Sequence, residues 1–283
     1  MFMKKNKTNY ELIDCGNLEK LEKIGDYLIR RPSPQAIWKQ KIDEHIWKNH
    51  HARYDEINNK WIINDIIGLP DFEFNDLKFK LKHSPNRQVG IFPEQIENWL
   101  WLNRFLNNSK RDLNILNGFA YTGIASVVAA GTANHIHQIT HLDAAAASVK
   151  WAKENHQKNF SSNNIRWIVD DILMFCKREL KRGNKYDGII LDPPAFGRAK
   201  KNTWKIKRDL PILLDYVNKL LSDDPQFIIL SSHDKDFPSE IMAKLIFEHC
   251  NLPKGKIKKY PLNIPSDQGN SLPAGECVRW TKS

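Results

Sequence analysis

The chain has 283 residues but only four cysteines, Cys15, Cys176, Cys250 and Cys277, spread far apart. No two of them have the short spacing of a zinc knuckle, and isolated thiols make no disulfide framework. A reducing cytoplasm is therefore the expected compartment. Long apolar runs are missing too, and none would cross a bilayer. Met1–Lys7 is basic but leads into Asn9, Tyr10 and Glu11, not an apolar core, so neither a signal peptide nor a membrane partner is expected. No GxGxxG string occurs, which removes the pyrophosphate cradle of a nicotinamide- or flavin-dependent oxidoreductase. Histidines cluster at His45, His50 and His51 and again at His135, His137 and His141. Neither group has cysteines or carboxylates at ligand spacing; surface and strand-edge residues are expected there, and no metal. Internal repeats and low-complexity segments are absent as well.

What remains is the composition of an ordinary globular protein, 41% hydrophobic and 27% charged. The length suits one large or two modest domains. Bases exceed acids, giving a net charge of +10 and a pI near 9.3, a balance that favours polyanionic partners. The excess is concentrated. Arg198, Lys200, Lys201, Lys205, Lys207 and Arg208 fall within eleven residues that hold no acid, with Trp204 among them. A second cluster, Lys254, Lys256, Lys258 and Lys259, reads as a solvated face.

Residues 1–85 read as a small α+β domain: strands at 10–14, 27–30, 61–63 and 77–81, a turn at Gly25-Asp26, and a helix over 35–50. Ile96, Trp99, Leu100, Leu102 and Phe105 recur at helical spacing after Pro93. From there strand and helix alternate. Strands are expected at 113–117, 137–142, 165–169, 187–191 and 226–230, with helices at 122–130, 145–159, 172–181, 209–221 and 239–250. Segments 255–260 and 276–280 would add a pair of strands at one edge. Such alternation predicts an α/β fold, a Rossmann-like and mostly parallel sheet covered by helices on both faces.

Ligands of such sheets bind at the carboxyl ends of the strands, and there this sequence is informative. The first strand ends in Asn117-Gly118-Phe119-Ala120-Tyr121-Thr122-Gly123, where Gly118 permits a close turn and Thr122 could cap the helix. The second ends at Asp143, placed to receive ribose hydroxyls, and the third at Asp170-Asp171, placed to accept from an adenine amine. The fourth stops abruptly at Asp192-Pro193-Pro194-Ala195-Phe196, which offers a carboxylate, carbonyls without strand partners and an aromatic ring to a planar base or amide. The set suits adenosine without pyrophosphate, hence S-adenosyl-L-methionine.

These strings together resemble the class I S-adenosylmethionine-dependent methyltransferases, and within them the bacterial 23S rRNA cytosine-C5 and guanine-N7 methyltransferase group. The resemblance covers about residues 86–283, including Gly90–Gln95 as that group's Gly-aromatic segment. Residues 1–85 resemble the small domain some members carry. It implies a methyltransferase sheet with an antiparallel edge strand. It further implies that Asn117, Gly118, Phe119, Tyr121, Thr122 and Gly123 wrap the methionine part of the cofactor. By the same resemblance Asp143 holds the ribose, Asp171 with its neighbour Asp170 the adenine, and the loop of Asp192, Pro193, Pro194 and Phe196 the target base, with Asp192 also close to the cofactor.

One departure is specific. The cytosine-C5 members carry a nucleophilic cysteine in a Ser-Cys-Ser-like segment after the fifth strand. Here that segment is Leu230-Ser231-Ser232-His233. A nitrogen acceptor is therefore expected, oriented by Asp192, with His233 as a candidate helper. The expected function is methylation of an RNA nucleobase, ribosomal RNA above all, with the basic run 198–208 on phosphates. A methyltransferase of the same fold acting on a protein or small molecule, and a non-catalytic RNA-binding protein that kept the fold, are the alternatives.

Overall fold

The computed structural model describes residues 8–64, 68–132, 137–161, 164–199 and 202–283. Met1–Lys7, His135, Lys200 and Lys201 lie outside the described residues. The chain forms two compact units, Met1–Gln95 with Asn263–Ala274, and Ile96–Leu262 with Gly275–Ser283. Residue 85, near which the strand and helix patterning and the extent of the resemblance set a boundary, falls inside the first of them.

The first unit is built on a five-stranded sheet in sequential order, β1 (Tyr10–Gly16), β2 (Glu19–Ile24), β3 (Tyr27–Pro32), β4 (Ala52–Asp55) and β5 (Lys60–Ile63), with a small β6 (Phe72–Phe74)–β7 (Leu77–Phe79) hairpin. Gly25-Asp26 does turn the chain, but between β2 and β3, since Glu19–Ile24 is itself a strand. The helix expected over 35–50 shrinks to α1 (Glu44–Lys48). Its first half is held extended by the buried carboxylate of Asp14, whose Oδ2 accepts the amides of Lys41 and Ile42 at 2.8 and 3.1 Å. An acceptor of two successive amides competes with the helical ladder for the same donors. Trp47 is the apolar anchor, packed on Ile13 and Leu21. His51 is more than a surface residue, because its Nδ1 accepts the Leu28 amide and its ring stacks on Tyr27. Beneath the sheet Glu22 takes a bidentate pair from Arg31, a hydrogen bond from Tyr10 and an ion pair from Lys20.

The second unit opens with α2 (Ile96–Asn107) and then alternates: β8 (Asn114–Gly118), α3 (Ile124–Ala130), β9 (Gln138–Asp143), α4 (Ala146–Asn159), β10 (Ile165–Val169), α5 (Ile172–Arg182) and β11 (Gly188–Leu191). A hairpin follows, β12 (Phe196–Ala199) and β13 (Asn202–Lys205), and then α6 (Ile206–Leu220), β14 (Phe227–Ser232), α7 (Ser239–His249), β15 (Gly255–Ile264) and β16 (Leu272–Lys282). Strand order in the sheet is β10-β9-β8-β11-β14-β16-β15. The pairs from β10 to β14 are parallel, and β16 lies antiparallel to β14. The fold expected from the resemblance, a mostly parallel methyltransferase sheet with an antiparallel strand toward one edge, is therefore present. Order reverses between β8 and β11, which sets a crevice at their carboxyl ends.

Period-two alternation sorts the core. Leu116, Ile189, Leu191, Ile228 and Leu230 face α5, α6 and α7, whereas Ile115, Ile190, Phe227 and Ile229 face the side of α2 and α3. Each such residue, fully removed from water, contributes roughly 1.5–3 kcal/mol. Gly188–Leu191 is buried throughout, as a strand covered on both faces must be. At the far edge β15 carries Lys256, Lys258 and Lys259; Lys258 pairs with Glu97 and Lys259 with Glu240. Lysines on an edge strand keep other chains from pairing with it.

Candidate active site

The register of the parallel strands brings the site together. Leu191 lies beside Gly118 of β8 on one side and Leu230 of β14 on the other. The next residues, Phe119, Asp192 and Ser231, therefore stand at the same level at one end of the sheet, where β8 and β11 have ended while Ser231 is still in β14 and paired with Cys277 of β16. On the other side of β8, Gly118 is level with Leu142, and Asp143 with Val169. The Asp170 amide donates to the Asp143 carbonyl at 3.1 Å and ties these two strand ends.

The loop after β8 departs from the helical and extended regions three times: Phe119 has φ 57°, Tyr121 φ 48° and Gly123 φ 83°. Two of these residues carry side chains, so the conformation is imposed by the surroundings; such strain concentrates at functional sites. The clamp is visible. Asp143 Oδ2 accepts the Tyr121 amide at 2.9 Å, its Oδ1 accepts the Ala145 amide at 2.8 Å, and the Ala120 amide donates to the Leu142 carbonyl at 3.0 Å. Gly118 contributes closeness rather than an unusual dihedral angle: a Cβ there would stand 2.9 Å from Ile172 Cδ1 and 3.0 Å from Leu191 Cδ2. At Gly123 a Cβ would stand 2.7 Å from that of Ala152. Gly123, and not Thr122, is the N-cap of α3, and no side chain caps it. Thr122 is buried, and its carbonyl accepts from Asn155.

Asn117 points away from the crevice. Its amide donates to Ser126 Oγ at 2.9 Å, and Ser126 Oγ lies 3.0 Å from His141 Nδ1. His141 is an interior residue of β9, where burial pushes its imidazole down to about 3 and keeps it neutral. His137, one residue ahead of β9, accepts the Leu113 amide. Sequence reasoning read both only as strand-edge residues.

Asp143 is largely desolvated, which raises its carboxyl, although the amides of Ala145 and Tyr121 pull it down. Asp171 caps α5 by accepting the Met174 amide at 3.0 Å. Asp170 accepts the Asp171 amide and pairs with Arg178. Both acids stand at the third strand end, but each already serves the start of α5.

Asp192 is partly buried, Pro193 buried, Pro194 and Ala195 exposed, and the Phe196 ring 52% exposed. The Ser231 hydroxyl donates to Asp192 Oδ1 at 2.6 Å, and His233 Nε2 lies 3.4 Å from the same oxygen. Neither contact could be read from the sequence without the β11–β14 register. The Pro194 carbonyl accepts from the indole of Trp204 at 2.7 Å, and that ring packs edge-on against Phe119 at 4.9 Å. Trp204 is thus a buried strut between the two motifs rather than a ring offered to RNA.

The described residues of the basic run lie in β12, in β13 and at the start of α6, which begins at Ile206, earlier than expected, because Asp209 Oδ2 accepts the Lys205 amide at 2.7 Å. The backbone of Arg198 lies in β12. Lys205 is exposed, Lys207 pairs with Asp236, and Arg208 pairs with Asp209.

All four thiols are buried, and burial raises each: Cys15 and Cys277 to about 11, Cys176 and Cys250 to about 12. Cys277 lies opposite Ser231 across the β14–β16 pair, but as a buried thiol it is no nucleophile. Among the described residues no group of His, Cys, Asp and Glu is placed to hold a metal.

A close-packed Gly118 beside a strained loop, an acid at each of the next two strand ends and no phosphate cradle together fit a nucleoside bearing a short amino-acid arm. The unit has the architecture of a Rossmann-like methyltransferase. The sequence profile of the S-adenosylmethionine-dependent methyltransferases matches residues 15–235, and the chain belongs to that family. Its cofactor is accordingly S-adenosylmethionine.

The chain is similar to ribosomal RNA large subunit methyltransferase K/L of Shewanella frigidimarina, at 32% identity over 230 residues, 78% of this chain and 30% of that protein. The corresponding protein of Pseudoalteromonas atlantica is 30% identical over 193 residues, 67% of this chain and 25% of that one. The chain thus spans less than a third of the length of these curated relatives. The crystal structure of a SAM dependent methyltransferase from Agrobacterium tumefaciens superposes with a TM-score of 0.91 at 31% identity, covering 99% of this chain and 92% of that one. The structure of SMU.776 complexed with SAH shares the fold, with a TM-score of 0.76 at 20% identity over 97% of this chain and 75% of that one.

Proposed function

We propose that this chain is a cytoplasmic enzyme that methylates a ring or exocyclic nitrogen of a nucleobase in RNA, with ribosomal RNA the first substrate to test. The observation that carries this reading is Asp192. It sits at the end of β11, held by Ser231, with a carboxylate that can accept from an N–H donor and an exposed Phe196 nearby on which a base can stack. Support for RNA comes from the basic hairpin and from the names of the relatives, which are ribosomal RNA methyltransferases. Support for nitrogen over carbon comes from the chemistry of the thiols. Attack by cytosine C5 needs a thiolate to add to the ring, and all four thiols are buried and protonated at neutral pH.

Bound S-adenosylmethionine supplies an electrophilic methyl group. The chain's own work is then positional. The loop 118–123, held by the Asp143 carboxylate, fits the methionine arm; Asp143 fits the ribose, and Asp170 and Asp171 the adenine edge. Phe196 stacks the target base, and Asp192 accepts an N–H from it, fixes the direction of the nitrogen lone pair and, where the target nitrogen carries a hydrogen, takes the proton it loses on methylation. The domain expected at 86–283, whose sheet belongs to the second unit, would carry the chemistry.

The test is methyl transfer from labelled S-adenosylmethionine to ribosomal RNA extracted from cells that lack this chain. Asp192→Ala should keep cofactor affinity in calorimetry and lower the transfer rate by about 100-fold or more, the usual weight of a positioned acid or base. Transfer by the variant at the wild-type rate would remove Asp192 from the mechanism.

A further inference from the structure

Ser231 and His233 converge on one oxygen of Asp192, and no part of the reading above uses both. Ser231 is buried and spends its hydroxyl proton on Oδ1 at 2.6 Å. That hydrogen bond favours the ionised carboxylate and fixes its plane. His233 approaches the same oxygen through Nε2 at 3.4 Å, with 33% of its side chain open to solvent. Once Asp192 carries a proton, a movement of a few tenths of an ångström closes that gap to a hydrogen bond donated to Nε2. Gly275 of β16 lies against the other ring nitrogen; a Cβ there would stand 3.2 Å from Nδ1. The imidazole is thus confined between the site and water.

From this geometry we infer that Ser231 and His233 work through Asp192 as a proton path: Ser231 keeps Asp192 ionised and aimed, and His233 is the terminal acceptor of the proton released by the target nitrogen. The inference rests on the nitrogen reading proposed above. The nitrogen lone pair forms the N–CH3 bond as the S–CH3 bond breaks, and the electron pair of that bond stays on sulfur. The target is thus an N–H-bearing nitrogen such as an exocyclic amine, whose proton passes to Asp192. Nε2 of His233, in the neutral tautomer protonated at Nδ1, takes it from there. Asp192 is again a carboxylate, now beside an imidazolium, and the exposed ring returns the proton to water. Both are positioning residues in the sense that neither touches the substrate.

Three measurements test the path. In the first, the imidazole nitrogen signals of His233 are followed by NMR in the wild type and in Asp192→Asn, without substrate. The Nε2 signal should move; an unchanged signal shows that the two groups do not interact, and the inference falls.

In the second, single-turnover methyl transfer to ribosomal RNA from cells lacking the chain is compared for wild type, His233→Ala, His233→Gln and Ser231→Ala, with cofactor affinity measured calorimetrically in each. His233→Ala should lose roughly 30- to 100-fold in rate at unchanged cofactor affinity. His233→Gln, which can donate to Asp192 but cannot take its proton, should be equally slow. Ser231→Ala should lose roughly tenfold, with recovery in Ser231→Thr.

In the third, added imidazole should raise the rate of His233→Ala by about tenfold and leave the wild type unchanged. A His233→Gln rate equal to wild type, or no response to imidazole, would reduce His233 to a structural contact and overturn the inference while leaving the nitrogen reading intact. A wild type that binds the cofactor but modifies no RNA would overturn that reading, and this path with it.

Discussion

Replacing Asp143 should separate the two duties that this side chain performs. Its carboxylate accepts the amides of Tyr121 at 2.9 Å and Ala145 at 2.8 Å, and so clamps a loop whose Tyr121 sits at φ 48°. With cofactor bound it would also accept from the ribose. In Asp143→Ala the charge-assisted ribose bond is lost, about 1.5–3 kcal/mol, and the loop clamp loosens by about 1 kcal/mol. The sum, about 2.5–4 kcal/mol, corresponds to a roughly 70- to 900-fold rise in Kd for S-adenosylmethionine. Asp143→Asn keeps one acceptor oxygen without its charge and should cost roughly tenfold.

The pH dependence provides an internal control. Burial raises the Asp143 carboxyl, and the Ala145 and Tyr121 amides only partly offset it. Binding that needs the ionised form should therefore weaken as pH falls through that raised value. An acid whose value is raised in the folded state binds its proton more tightly there, so its contribution to stability increases as pH falls. Affinity and stability should thus move in opposite directions over one window. Isothermal titration with S-adenosylmethionine and thermal melting across that window provide both curves. A wild-type affinity retained by Asp143→Ala would refute the assignment of this strand end to the ribose.

Three further outcomes are expected. Cys277→Ala should transfer methyl groups at close to the wild-type rate, and thiol alkylation under native conditions should not inactivate, because the buried thiol stands at about 11; inactivation by either would revive a covalent mechanism. Glu22→Gln should destabilise the first unit by about 3 kcal/mol in denaturant unfolding. Although burial pushes that carboxyl up, Arg31 and Lys20 hold it at about 2, so its contribution is present above an ordinary carboxylate value and is lost as pH falls toward 2. Lys205→Ala should weaken RNA binding and lower its salt slope by about one, more than Arg208→Ala does, because Arg208 is already engaged by Asp209; equal losses in gel-shift titrations would argue against a phosphate contact at Lys205.

Much of the second unit was legible because its signals are local. Buried strands such as Gly188–Leu191 are short apolar runs, and this one is followed by Asp192-Pro193-Pro194, where the prolines have no amide to continue a ladder. The first unit was less legible, since its organising groups act over long sequence distances. Asp14 sets the backbone of Lys41 and Ile42, and no periodicity within 35–50 reveals that competitor. Glu19–Ile24 alternates charged and apolar residues too sparsely to announce a strand, and is fixed by pairing on both sides. At the site, the acids could be read as strand ends, but their existing partners could not. That Asp171 caps a helix, that Asn117 turns toward Ser126 and that Ser231 donates to Asp192 are consequences of register and packing.

The most direct test of the account is a comparison of modified nucleosides in ribosomal RNA from cells with and without this chain, resolved to the atom by mass spectrometry, with the purified chain then restoring the missing mark. The account predicts the loss and restoration of one methyl group on a base nitrogen. Loss of 5-methylcytidine, or identical modification in both RNAs, would contradict it.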